Sequence, residues 1–243
     1  PQGRMNKIDT DFLATLVAHI VAVARAHGDK APSERELAEH FAVSRGQVRE
    51  SLSILESMQI IERRAKSGIY LNPETAGLDS MALFARAGVP LMPRQIFEAV
   101  ELRKIHEIKA AELAAMRATD DNHARLRGIL DQSAAQLAKG EGLHRLDGAF
   151  HLEIVRATQN EMFYKLCQSF YAAAEQRHAI YFRKPERNAK SHAEHLQIFD
   201  ALIARDAILA QALMNSHLGG AQSYWTELLD EQEAADPLIR PGA

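Results

Sequence analysis

Four residues in the C-terminal part of the 243-residue sequence have the types and spacing to hold a cation: Asp147, His151, His195 and His217. Asp147 and His151, in LDGAFHLEIV, are four positions apart, so on a helix both project the same way beside an apolar stripe. In SHAEHLQIFDALI, His195 shares the packing stripe of Ile198, Phe199 and Leu202; in ALMNSHLGGA, His217 follows Leu213 by one turn and likewise faces inward. One carboxylate and three neutral imidazoles suit a divalent transition metal such as zinc, nickel or manganese, and an octahedral ion so held keeps up to two positions for an oxygen donor. The plainer alternative is a structural Asp147–His151 pair beside a core, and spacing alone leaves both open. The remaining helical histidines, His106, His123, His144, His178 and His192, read as surface or satisfied core. Glu141-x-x-His144 and Glu175-x-x-His178 match the Glu-x-x-His of a di-iron helical-bundle enzyme, but Glu141 lies between two glycines at a helix start, which counts against it.

A second constellation lies near the N-terminus, in SRGQVRESLSILESM. Val48, Leu52 and Leu55 form a stripe that packs inward, while Arg45, Gln47 and Arg49 fall near the helix start, off that stripe. Arginine grips guanine bidentately and glutamine grips adenine, and recognition helices dock by this end in the major groove. Ser44 is the expected N-cap. Arg35 projects from the preceding helix, and Lys66 sits at the tip of a short hairpin.

The elements that position these residues follow from periodicity and breakers. Helices are predicted over 8–27, 34–41 and 44–57, and two β-prone pieces within 60–72 flank the turn AKSG. That is the layout of a winged helix-turn-helix, placed at 8–72, with a linker at 73–77. The chain then reads as helix after helix: 78–86, 93–117, 120–138, 144–157, 161–183, 189–204 and 207–231, about seven in all. The fold class expected is mainly α, a winged head followed by an all-α bundle over 78–231.

Hydrophobic content of 47% and charged content of 25% are ordinary for a globular chain. The net charge of −3 excludes a broadly basic nucleic-acid binder, so DNA contact has to rest on a few placed arginines. The single cysteine, Cys167, has no internal partner, which fits a reducing cytoplasmic setting. No apolar run reaches the roughly 18 residues of a membrane span.

PSERELAEHFAVSRGQVRESLSILESMQIIERRAKSGIYL resembles the DNA-binding domain of the GntR family of bacterial regulators, through PSERELA, VSR, VRESL, Leu55-x-x-Met58 and Gly68-Ile-Tyr. The resemblance implies that Arg35, Arg45 and Arg49 contact operator DNA and that the wing glycine, Gly68, approaches the minor groove. The lead AHGDKAPSERELA departs from the Gly and Pro-Gly lead common in the family. Glu101-Leu-Arg103, Asp147-x-x-x-His151, Asn160, Ser191-x-x-Glu194-His195-x-x-Ile198 and Met214-x-x-His217 resemble the FCD effector domain of the FadR subfamily, and the count of seven helices favours the FadR-like subgroup over the six-helix one. That implies metal ligation by Asp147, His151, His195 and His217, and contact of Arg103 and Asn160 with a small carboxylic acid. Pairing of Arg103 with Glu107, and helix capping by Asn160, are the local alternatives.

The reading that results is a cytoplasmic homodimer, not an enzyme: a metabolite-responsive regulator, expected to repress, on double-stranded palindromic operator DNA. The alternative keeps the DNA-binding dimer and makes the helical domain purely structural.

Overall fold

A computed structural model describes residues 10–72, 77–89 and 93–235, in two compact units. Most of the expected linker, 73–76, lies outside the described residues.

The first unit begins with α1 (Thr10–Ala26), α2 (Glu34–Phe41) and α3 (Arg45–Ser57). Ser33 starts α2 with a reciprocal capping box: the Glu36 amide donates to its hydroxyl, and the Ser33 amide donates to the Glu36 carboxylate. Ala42 ends α2 in the left-handed region (φ 53), and Ser44 then caps α3. Leu16, Val17, Ile20, Leu37, Val48, Leu52 and Leu55 are fully buried and lock the three helices together. Strands β1 (Ile61–Arg64) and β2 (Gly68–Leu71) pair antiparallel, from Ile61 opposite Leu71 to Arg64 opposite Gly68. The turn between them needs positive φ at Lys66 (61°) and Gly68 (127°), the latter a conformation that glycine alone adopts readily. Backbone bonds from Ala31 to Ile69 and from Leu71 to Asp29 tie the hairpin to the α1–α2 connection.

Helix α4 (Leu78–Arg86) forms where the sequence predicts it, but it belongs to this unit. Its Leu83 and Phe84 join the core of α1–α3, Arg86 pairs with Asp11 at 3.0 Å, and the Ser80 hydroxyl donates to the Met58 carbonyl. All seven helices expected from 78 onward form, and the six after α4 build the second unit.

These are α5 (Pro93–Arg117), α6 (Asp120–Ala138), α7 (His144–Ala157), α8 (Glu161–Tyr181), α9 (Pro185–Ile203) and α10 (Ala207–Ala235). Helix α9 starts at Pro185 rather than 189, because proline is preset for the first helical position and needs no hydrogen-bond acceptor there. Along α5, Ala110, Ala111, Ala114 and Ala115 are fully buried, and their small side chains let α7 and α10 pack close. Phe150, Ile154, Ile198, Leu202 and Met214 fill the centre. Cys167 is buried among them, and burial pushes its thiol up to about 12. Among the described residues no helix is long and apolar enough to cross a membrane.

Candidate functional site

The centre of the second unit is polar where α7, α9 and α10 meet α5. Helix α7 supplies Asp147 and His151, α9 supplies His195, and α10 supplies His217. The register of α7 is fixed by Asn188 on α9, whose buried side chain accepts from the Leu143 amide at 2.7 Å and donates to the Phe182 and Lys184 carbonyls. That tie sets Asp147 opposite Ser191, whose hydroxyl donates to its Oδ1 at 3.0 Å. Phe150 stacks on the His195 ring, centroids 4.1 Å apart, and holds its plane.

The three histidine Nε2 atoms form a triangle with each side 3.2 Å. Asp147 Oδ1 lies 3.4 Å from His195 Nε2 and 3.8 Å from His151 Nε2. Two of the three rings have outward partners for their other nitrogen. His217 Nδ1 donates to Glu194 Oε2 at 2.7 Å, and His151 Nδ1 is in direct contact with the Glu107 carboxylate. A carboxylate accepts only, so each of these two rings directs an Nδ1 proton outward, and in the form that binds a metal each turns an Nε2 lone pair to the centre. Converging lone pairs repel unless a Lewis acid lies between them. With metal–nitrogen bonds of about 2.0–2.1 Å, neighbouring nitrogens sit about 2.9 Å apart at right angles and about 3.4 Å apart in a tetrahedron. The observed 3.2 Å falls inside that range, and the donor set fits a divalent transition ion.

Burial is nearly complete, and it sets the protonation states. Desolvation lowers His195 and His217, and the neighbouring imidazoles lower them further, so both rest neutral, the form that ligates. Burial alone would raise Asp147, but His151, His195 and Arg103 outweigh it and hold the carboxyl well below its usual range. Glu107 behaves alike: burial raises it, and Arg103 and His151 more than reverse the effect. Arg103 donates through Nε to Glu107 Oε1 at 2.7 Å, and its terminal nitrogen lies 3.6 Å from Asp147 Oδ2. Arg103 thus makes the Glu107 pair anticipated as its local alternative, and it also borders the cluster. Tyr171 adds a hydroxyl donated to Glu107.

Asn160 is exposed, and its Oδ1 accepts from the Phe163 amide at 3.1 Å as the cap of α8, the role given above as the local alternative to an effector contact. Glu141 is exposed and precedes α7, and Glu175 is exposed while His178 is buried. The two Glu-x-x-His pairs therefore do not converge, and the cluster of Asp147 with three histidines is the one potential metal group among the described residues. Glu107, Glu194, Asn188 and Tyr171 carry no site role that the sequence alone reveals. The Arg103-x-x-x-Glu107 spacing and the Glu194–His195 adjacency were the available signals, but what these residues touch depends on which helices become neighbours.

In the first unit, Ser44, Arg45, Gln47 and Arg49 are all exposed at the start of α3. The Ser44 hydroxyl accepts from the Gln47 amide at 3.1 Å. Arg49 pairs with Glu34 of α2 at 3.0 Å, and Arg35 stands 3.9 Å from Glu39. Lys66 and Gly68 are exposed on the hairpin.

Residues 13–71 match the bacterial regulatory proteins of the gntR family, and residues 98–220 match the FCD domain. The regulator LutR of Bacillus subtilis (strain 168) is 31% identical over 209 residues, covering 84% of this chain and 94% of LutR. The chain belongs to the GntR family. It carries the FCD domain and matches the family's FadR-like subfamily. Other GntR relatives include the Exu regulon transcriptional regulator of Escherichia coli (strain K12), 30% identical over 79% of this chain and 74% of its own. The galactonate operon transcriptional repressor of the same strain is 28% identical, over 85% and 91%. The solved structure of Lar, described as controlling the Listeria monocytogenes agr system, shares the fold at 17% identity and TM-score 0.63, covering 89% of this chain and 97% of that one. GntR proteins are DNA-binding transcription regulators rather than enzymes, and this one is a metabolite-responsive regulator whose FCD domain is of a kind that binds a metal in some members.

Proposed function

We propose that this GntR regulator is a homodimeric repressor that reads a palindromic operator and senses a small organic acid at a divalent metal held by Asp147, His151, His195 and His217. The observation that carries the reading is the triangle of three inward Nε2 atoms, with the His151 and His217 protons directed outward to Glu107 and Glu194. When bound, the ion supplies Lewis-acidic positions for a carboxylate oxygen. The chain's own residues do the rest. Glu107 and Glu194 fix the tautomers and ring planes of His151 and His217. Arg103, held by Glu107, borders Asp147 and offers a guanidinium suited to a carboxylate. The hydrophobic core around the cluster keeps bulk water out and strengthens each charge interaction. A relative named as the repressor of the galactonate operon supports both the acid class and the repressing sense.

On the operator side, Arg45, Gln47 and Arg49 are the proposed base-reading residues at the start of α3, with Ser44 as cap and near-backbone donor. Arg35 contacts the backbone, and Lys66 and Gly68 present the wing. Exposed Leu102 and Ile105 on α5, with Met162 and Leu166 on α8, offer apolar surface for the dimer.

The deciding experiment is operator binding by the metal-loaded protein with and without small carboxylic acids. A shift in affinity that disappears on chelation and in Arg103→Ala supports the sensor, and no shift with any acid overturns it. Replacing Arg35, Arg45 and Arg49 by alanine is expected to abolish specific binding and to reduce the salt slope by about one for each phosphate no longer neutralised.

A further inference from the structure

The lead into α2, AHGDKAPSERELA, departs from the family pattern, and its backbone gives that departure a shape. Gly28 and Asp29 both take left-handed conformations, with φ of 60° and 63°. Two such residues in succession turn the chain sharply at the end of α1. The next residues run antiparallel to β2: the Leu71 amide donates to the Asp29 carbonyl, Lys30 pairs with Tyr70, and the Ala31 amide donates to the Ile69 carbonyl. The lead thus edges the hairpin and fixes Lys30 beside the wing.

Lys30 lies across the wing glycine. A Cβ on Gly68 would stand 3.4 Å from Lys30 Cε, so the bare glycine leaves room for the lysine stem. Arg64, opposite Gly68 in the hairpin, is also held in place. Its guanidinium carbon lies 4.3 Å from the centre of the Tyr70 ring, and its Nε is 3.3 Å from Glu62. Lys30 and Arg64 line an open groove between the wing, at Lys66 and Gly68, and the start of α2, at Ser33 and Glu34. The acidic residues of this groove are already engaged: Glu34 takes Arg49 and Arg63, and Glu36 closes the capping box with Ser33. Lys30 is exposed, and among the described residues no carboxylate forms a salt bridge with it.

Duplex DNA supplies the group that fits this rim. A duplex with α3 in its major groove and the wing in the neighbouring minor groove places between them the sugar-phosphate strand that divides those grooves. That strand crosses the space between α2 and the wing, where Lys30 and Arg64 stand. We propose that Lys30 and Arg64 clamp the phosphates of that strand, which brings the loop before α2 and strand β1 into the DNA contact. The inference rests on the reading of α3 and the wing given above and adds two sequence-independent contacts to it.

The test uses the full chain and two duplexes of about 30 base pairs, one selected from a random pool by the unaltered protein and one a shuffle of it, titrated over a range of salt. Lys30→Met keeps the stem and removes the charge. It is expected to weaken both duplexes by the same factor, about three- to tenfold near 0.1 M salt, and to lower the salt slope by about 0.9. Arg64→Met is expected to do the same and Lys30→Arg to keep the slope. Lys139→Met, an equal charge change at an exposed site in the second unit, is expected to leave affinity and slope unmoved. An unaltered slope in Lys30→Met or Arg64→Met, or a loss confined to the selected duplex, overturns the proposal. Replacing Arg45 and Arg49 together by alanine separates this inference from the reading beneath it. If that variant loses the preference for the selected duplex while Lys30→Met keeps its slope, the phosphate clamp alone falls. If it keeps the preference, the α3 reading falls and takes the clamp with it.

Discussion

Two arginine–glutamate contacts of nearly equal length divide the molecule by purpose. In the first unit Arg49 meets Glu34 at 3.0 Å with side chains 68% and 29% exposed; in the second, Arg103 meets Glu107 at 2.7 Å with 10% and 1%. Water screens the first pair, and the interaction is worth little, so the arginine can leave it for a phosphate or a base edge at small cost. The second pair has lost its water, and neither member can leave without stranding the other. Distance alone does not distinguish them. The surrounding medium makes one pair exchangeable and the other a fixed part of the site.

The sharpest way to break this contrast is to delete the acidic member of each. Glu107→Ala leaves Arg103 short of a partner and His151 without its orienting carboxylate, and is expected to cost about 3–5 kcal/mol in urea unfolding at neutral pH. Glu34→Ala is expected to leave the unfolding midpoint unmoved. Similar losses in both would show that exposure is the wrong criterion.

Acid titration of the metal-free protein probes the same buried charges collectively. His178, His195 and His217 are held neutral below their ordinary range, chiefly by burial, so the unfolded chain takes up protons that the folded chain refuses. Stability is therefore expected to fall as pH drops below about 6.5, by about 1.4 kcal/mol per pH unit for each such group, continuing for His178 to about 3. Asp147 and Glu107, held below the carboxylate range, add loss in the same direction below about pH 4. Thermal melts between pH 7.5 and 5 check the slope, and a flat profile would contradict the protonation states assigned to the cluster.

A smaller effect is expected from the metal. At a free concentration 100 times Kd, a divalent ion stabilises by about 2.7 kcal/mol, and chelation removes that increment. His195→Ala is expected to abolish both the increment and one bound ion per chain in elemental analysis, with the first unit's operator contacts untouched at saturating DNA. An increment that survives His195→Ala would place the ion elsewhere.

The features readable in the sequence were those written locally. Ser44 announces a helix start, because a hydroxyl three residues before an amide is a complete capping device by itself. Asp147 and His151 share a face because four residues make about one turn. The wing followed from the AKSG turn between two β-prone pieces. What stayed illegible was relational. Leu83 and Phe84 are an apolar pair whose pattern states no choice of core, and they pack with α1–α3. Asn160 matches a motif position and is also a complete helix cap, and the sequence does not say which role it takes. The contact between Glu107 and His151 spans two helices far apart in sequence and is visible only once those helices are neighbours.

Cys167 gives the second unit a clock. The chain has no other thiol, and this one is both walled off and held protonated, so alkylating reagents can reach a reactive form only when the bundle opens. Its labelling rate under native conditions would report how often the interior breathes, and whether a metal or an acid slows that opening, without a tag, a probe or a DNA fragment.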